Sequence, residues 1–232
     1  MNNNLLQIKI KERLNKLASL DYDNLECWQI VEAFNKAQLE WVRRQVHGNN
    51  LRKEGDESTK MLIDDLQILL VEQNITGTNQ PKFLQTALLP NDYLYFKKLS
   101  AESNTECCPN RFLVCYLAEV ADTDNLLVDL FRKPSAEWGE TFFTLQGNRI
   151  RIYHNDEFEI QNPKLTYYRN PRTISFAGCV NPADGTATVN VESEFKDDIV
   201  ELIVDETAAI LAGDMELFNQ YQRGKTNAQN NN

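Results

Sequence analysis

One long amphipathic helix constrains this chain more than any other feature. Residues 21–48 read DYDNLECWQIVEAFNKAQLEWVRRQVHG. Asp21 or Asp23 can accept bonds from the orphan N–H groups of a first turn, and Gly48 stands where a left-handed end residue is wanted. Cys27, Ile30, Phe34, Ala37 and Trp41 recur at spacings of three and four, so they share one face. Val31, Leu39, Val42 and Val46 lie beside that stripe. About 25 residues at 1.5 Å rise make a rod of roughly 35 Å, which suits a structural strut better than a catalytic loop.

The rest of the chain falls around this rod. Ile8, Ile10, Leu14 and Leu17 are compatible with a first helix or a docking arm. The polar stretch 49–57 reads as a turn, after which Asp56 or Ser58 can cap a piece that buries Met61, Leu62, Ile63 and Leu66. The apolar run 68–71 fits a strand or a helix end, and periodicity does not decide between them. Pro90 followed by Tyr93, Phe96 and Leu99 at spacing three predicts a short helix. Residues 112–117 have strand composition, and 123–131 form a short helical candidate that stops before Pro134. Residues 142–145 and 149–153 flank Gln146-Gly147-Asn148, a hairpin signal. The strand pattern continues through 158–160, 165–169 and 173–176.

Asp197 or Asp198 then caps a run containing Ile199, Val200, Ile203, Val204, Ile210 and Leu211. That run is apolar on much of its circumference and must be buried on several sides. Met215, Leu217, Phe218 and Tyr221 suggest one more helical segment. The polar end GKTNAQNNN is expected to stay disordered or to fold on a partner. Helices, then strands, then a helix predict an α+β chain. Residues 1–72 and 194–222 would build a helical body, 73–193 an inserted strand-rich domain, and 223–232 a polar tail.

Composition narrows the function. The 232 residues can bury a sizeable core. A net charge of −10 argues against gripping nucleic acid, which needs a basic face to replace phosphate counterions. No run of about 18 apolar residues offers a membrane span. The first residues, MNNNLLQIKIKERL, lack a signal-peptide h-region. A cytosolic origin follows, in which the five cysteines are expected as thiols.

Reactive constellations are sparse. His47 and His154 lie in unrelated contexts, and no HExxH, GxSxG or glycine-rich phosphate loop is present. Cys107-Cys108 with Cys115 and Cys179 make the best metal candidate. Adjacent cysteines fit two corners of a tetrahedron poorly, however, and Cys115 reads as strand packing. Asp64-Asp65, Glu137 with Glu140, Glu192 with Glu194, and Asp197-Asp198 are paired acids; at a helix start such pairs favour the macrodipole. No catalytic residue, cofactor or metal is therefore expected. Trp28 and Trp41 lie about 140° apart on the long helix at 100° per residue, so one can pack inward while the other meets a neighbour.

Segments 21–48, 88–101 (LLPNDYLYFKKLSA), 133–153 (KPSAEWGETFFTLQGNRIRIY), 165–174 (LTYYRNPRTI) and 194–224 together resemble a structural protein of crAss-like short-tailed bacteriophages, the ring joining the portal vertex to the tail. The resemblance covers nearly the whole chain and carries no catalytic residue. It implies a head-to-tail adaptor-like fold and a non-enzymatic virion protein, made in the host bacterial cytoplasm. Its partners would be itself in a twelve-fold ring, the portal protein, and the next connector or tail ring. Genomic DNA would pass through the channel without specific binding. A ring needs two different faces on each subunit. Trp28, Trp41, Arg43, Arg44, Ile199, Ile203, Ile210, Phe218 and Tyr221 are the candidate contact residues for those faces or for the portal. The alternatives are an assembly chaperone or scaffold, or a small metal-dependent hydrolase using Glu137 and Glu140.

Overall fold

The computed structural model describes residues 1–17, 25–48, 55, 60–105, 109–154, 156, 158–180, 185–214, 222 and 224–226. In chain order the helices are α1 (Asn3–Leu17), α2 (Cys27–His47), α3 (Lys60–Leu66), α4 (Thr123–Val128) and α5 (Asp197–Asp214). The strands are β1 (Leu70–Asn74), β2 (Gly77–Asn79), β3 (Phe83–Thr86), β4 (Tyr93–Asn104), β5 (Arg111–Leu117), β6 (Glu140–Gln146), β7 (Arg149–Tyr153) and β8 (Glu159–Arg169). The chain is α+β, with terminal helices and a central strand-rich part. It divides into two compact units: Met1–Leu69 with Pro171–Asn232, and Leu70–Asn170.

In the first unit α2 carries the expected stripe. Ile30, Phe34, Ala37 and Trp41 are buried, joined by Ala33, Gln38, Val42 and Gln45. Its start differs from the expected one. Glu26 is the N-cap, and the Gln29 side chain accepts the Glu26 N–H at 3.1 Å, one half of a capping box; Asp21 and Asp23 lie outside the described residues. Gly48 ends the helix at φ +70°, as the sequence predicts.

α5 packs against both α1 and α2, which explains why it is apolar around most of its surface. Three of its six carboxylates are met on the neighbouring helices. Arg13 of α1 reaches Asp205 at 2.6 Å and Glu201 at 3.4 Å, Lys9 also pairs with Glu201, and Arg44 of α2 pairs with Glu206. Gly224, in a helical turn over 224–226, brings its backbone against Ala209; a Cβ there would stand 2.8 Å from the Ala209 methyl. At those three residues the polar tail is thus helical, with Gly224 buried and Lys225 and Thr226 exposed, where disorder or folding on a partner was expected.

Residues 171–193, assigned from sequence to the inserted domain, belong to the helical unit. Side-chain amides of the helices hold their backbone. Asn3 Nδ2 donates to the Ser175 and Val191 carbonyls at 2.8 and 3.0 Å. Gln38 Nε2 donates to the Arg172 carbonyl at 2.9 Å, and Asn35 Oδ1 accepts the Ile174 N–H at 2.8 Å. The expected strand 173–176 reduces to a single bridge, Ser175 with Val191. A disulfide joins Cys27 at the start of α2 to Cys179, which corrects the expectation of free thiols at these two positions. Sequence reasoning missed it because the partners are 152 residues apart and share no motif.

The second unit is one curled sheet, ordered β1-β8-β4-β5-β6-β7-β3-β2. Its two ends are consecutive in the chain. β1 pairs with β8, the Ile75 N–H extends that ladder to the Pro163 carbonyl at 2.9 Å, and the Ala87 N–H bonds the Thr76 carbonyl at 2.8 Å where β2 begins to pair with β3. Residues 70–79 therefore cross from one end of the sheet to the other and bring it round on itself, which pairs strand edges that would otherwise be open. Inside lie Leu99, Leu113, Phe143, Ile152, Leu165 and Tyr167 with their neighbours. Entry and exit strands are adjacent, Leu70 opposite Tyr168, so the unit fits between two segments of another.

The helix expected at 93–99 is instead the start of β4. Register shifts fall between Tyr93 and Tyr95 and between Phe96 and Lys98. Each extra residue in a bulge breaks the strand alternation. Tyr93, Phe96 and Leu99 all pack on the core, and a spacing of three imitates a helix. The run 68–71 is a helical turn, Gln67–Leu69, that passes into β1. The hairpin at 146–148 forms as predicted, with Gly147 and Asn148 both at positive φ.

Candidate interaction surface

β5 and β6 are parallel neighbours. A parallel pair cannot be joined by a tight turn, so residues 118–139 must cross over. In most such crossovers a helix lays an apolar stripe on the sheet. Here the helical turn Val120–Asp122 and α4 bury none of their residues. The return is tight: the Ser135 N–H bonds the Glu140 carbonyl at 2.9 Å, and the Gly139 N–H bonds the Ser135 carbonyl at 3.0 Å. Gly139 sits at φ +71° with its missing Cβ 3.1 Å from the Phe112 carbonyl, so a side chain there meets both backbone strain and β5. The Asp129 carboxylate accepts the Phe131 N–H at 2.9 Å, an Asx turn at the crossover tip.

The consequence is an open apolar face. Phe112, Val114 and Tyr116 alternate along β5 on the side away from the core and are exposed. At the crossover tip Val128 and Leu130 are 80 % exposed and Phe131 is 84 % exposed; Trp138, beside β5, is 70 % exposed. A cavity of about 680 Å³ lies among Tyr116, Leu126, Leu130, Phe131 and Trp138. Acids also line it: Glu119, Asp122, Glu137 and Glu140, with Arg132 and Lys133 opposing them in charge. Tyr116 donates its hydroxyl to Glu140 at 3.2 Å. That bond to a carboxylate raises the phenol above its ordinary range.

The residues expected to make contacts are elsewhere, and several are not available. Trp41, Ile199 and Ile203 are buried in the helical unit. Trp41 meets Phe195 edge-on at 5.4 Å, and the apolar faces of α2 and α5 cover each other within the subunit. Trp28 and Ile210 are half-buried, and Arg43 is exposed. Arg44 is engaged with Glu206. Phe218 and Tyr221 lie outside the described residues. Burial pushes the Glu206 carboxyl up to about 7, although the Arg44 guanidinium pulls the other way; a hydrogen bond with Glu40 adds to the rise.

The candidate metal set does not assemble. Cys179 is in the disulfide. Cys115 is buried in the barrel, where burial raises its thiol to about 12, and Cys107-Cys108 lie outside the described residues. Among the described residues no group of three or more His, Cys, Asp or Glu is placed to hold a metal ion. No helix among them is long and apolar enough to cross a membrane. His154 is buried beside the Phe158 ring, and burial lowers its pKa. Asp64 and Asp65 flank Lys196, while Asp197 and Asp198 occupy the first turn of α5. The sequence did hold a signal for the crossover face: Val128, Leu130 and Phe131 close the short helical candidate 123–131, whose helix ends at Val128, and Trp138 follows it. No protein-family model and no curated protein matches the chain.

Proposed function

We propose that this chain is a non-enzymatic subunit of a virion connector, forming a ring between portal and tail through which genomic DNA passes. The observation that carries the reading is the open face of the crossover. Its exposed side chains, Phe112, Tyr116, Leu130, Phe131 and Trp138 among them, form the kind of apolar patch, rimmed by charged groups, that marks interaction sites. A subunit whose work is assembly needs such a face. The resemblance of segments 21–48, 88–101, 133–153, 165–174 and 194–224 to connector rings of crAss-like phages points to the same role. On this reading the helical unit with its inserted barrel is a head-to-tail adaptor architecture, and the net charge of −10 keeps passing DNA from adhering to the wall.

Cryo-electron microscopy of purified particles at the tail-bearing vertex tests the reading. A ring of this chain beside the portal is the expected result. Its absence from particles, with the protein confined to infected-cell lysate, would replace the connector with an assembly chaperone or scaffold.

A further inference from the structure

We infer that the crossover cavity receives a basic segment of another protein, seating a lysine or arginine side chain against its aromatic lining. The inference deepens the assembly reading of this face by naming the chemistry of the partner, and it rests on that reading. The cavity, of about 680 Å³, combines two features. Part of its lining is aromatic: Tyr116 on β5 pairs with Phe142 on β6, and Phe131 and Trp138 join them. Its charged lining is mostly acidic, with Glu119, Asp122, Glu137 and Glu140 all exposed. A ring face attracts a cation through its quadrupole, and a nearby carboxylate adds a charge attraction. A space of roughly 300–1,000 Å³ takes a drug-sized body, so this one suits a short peptide segment better than a folded surface.

The charges of the subunit leave this pairing open to an outside cation. Elsewhere on its outer surface the barrel fills it: Lys98 stands 6.0 Å from the centroid of the Phe112 ring, and Arg151 stands 5.1 Å from that of Phe83. Arg132 and Lys133 also line the cavity, yet among the described residues no cation lies over Tyr116, Phe131 or Trp138. Glu119, Asp122 and Glu137 likewise make no ion pair among the described residues. The acid excess runs through the whole crossover, where residues 118–140 hold six carboxylates against Arg132 and Lys133. Such complementarity steers and registers a basic partner, and it repels the phosphates of a nucleic acid. Leu130 and Phe131, exposed in the same lining, give apolar neighbours of the cation a place to pack. A peptide uses that surface and a bare metal or ammonium ion does not.

The test titrates the full chain with an end-blocked peptide, Arg-Leu-Arg-Leu-Arg, and with its glutamine and glutamate counterparts. Calorimetry should give the arginine peptide a Kd below about 1 mM. The glutamine peptide should bind at least about tenfold more weakly, and the glutamate peptide not at all. Added salt should weaken the arginine peptide most. Glu119→Gln with Glu137→Gln should cost the arginine peptide about tenfold and leave the glutamine peptide unchanged, whereas Trp138→Ala should weaken both by about threefold or more. Thermal unfolding checks that the variants fold like the parent. An arginine peptide that does not bind, three peptides that bind alike, or an acid-to-amide variant that binds like the parent would each overturn the inference. So would sedimentation velocity showing that a second copy of the chain covers the face and excludes the peptide. The connector reading fails separately: if the arginine peptide binds but the chain is missing from particles, the recognition stands and the connector does not. A ring seen in particles, with no peptide binding, leaves the connector and removes this inference.

Discussion

Trp41 and Trp138 set the two units side by side. Trp41 is 2 % exposed, seated between α2 and Phe195 in the helical unit; Trp138 is 70 % exposed at the foot of the barrel crossover. The helical unit turns its largest apolar groups inward and meets its ionic groups with partners on adjacent helices. The barrel fills its interior equally well, with Phe143, Ile152 and Leu165 fully buried, and then leaves a second apolar layer open on the outside of β5. Hydrophobicity alone does not separate cohesion from adhesion. What separates them is whether the next element in the chain is long enough to cover the face, and α4, six residues long, is not.

Removing the inward anchor should have the largest effect. Trp41→Ala is expected to destabilise the helical unit by about 3–5 kcal/mol, the range for deleting a large buried aromatic. Urea unfolding should show an early transition in helical circular dichroism. If the change is within error, the packing of α2 on Phe195 and α5 is not what holds the unit.

The Cys27–Cys179 bond sharpens the same contrast, since it ties α2 to the segment returning from the barrel without touching the barrel itself. Cys27→Ser should lower the stability of the helical unit by about 2–4 kcal/mol. The unfolding of the barrel, followed through tyrosine fluorescence in a Trp41→Phe background, should be unchanged. Thiol titration of the denatured, unreduced chain should find no more than three groups rather than the five expected if every cysteine were free. Finding five would exclude the bond.

A pH scan probes the helical unit more gently. Glu206 ionises near 4.5 in an unfolded chain and near 7 in the fold. A raised acid contributes stability that is fully present below the unfolded value and is lost as pH rises through the folded one. The helical unit should therefore weaken across that window, by about 3 kcal/mol at most at roughly 1.4 kcal/mol per unit. Glu206→Gln should flatten the profile. Arg44 and Glu40 are the charged groups facing this carboxyl, and a profile that keeps its slope in the variant would place the titration on another group.

How much of this was legible beforehand depends on the range of the physics involved. The α2 stripe and the Gly48 end follow from local spacing, and the burial of α5 follows from its composition, so the helices were readable. The hairpin at Gly147-Asn148 was equally local. β4 was misread because bulges, which depend on pairing with β8, gave Tyr93, Phe96 and Leu99 a helical spacing. The disulfide and the return of 171–193 to the helices need contacts across the length of the inserted unit, and no window of sequence contains them. The contact face was placed on the helices because large apolar residues concentrate there; those same residues turned out to need each other. The exposed apolar face lies instead in 112–138, where exposure follows from a parallel pairing of β5 and β6 that the sequence does not announce.

The smallest effect on stability should come from the most conspicuous side chain. Trp138→Ala removes an aromatic ring that covers little of its own fold, so the barrel should change by no more than about 0.5 kcal/mol, the usual range for surface positions. Its backbone carries the structure there: the Trp138 N–H bonds the Ser135 hydroxyl at 3.3 Å, and neither atom belongs to the indole. A loss of several kcal/mol would mean that the ring is part of the barrel's own packing and that the face beside β5 is less open than its exposure indicates. A neutral change, together with weakened binding of the arginine peptide, would separate the two roles that apolar side chains play in this chain: Trp41 would be worth much to the fold and nothing directly to a partner, and Trp138 the reverse.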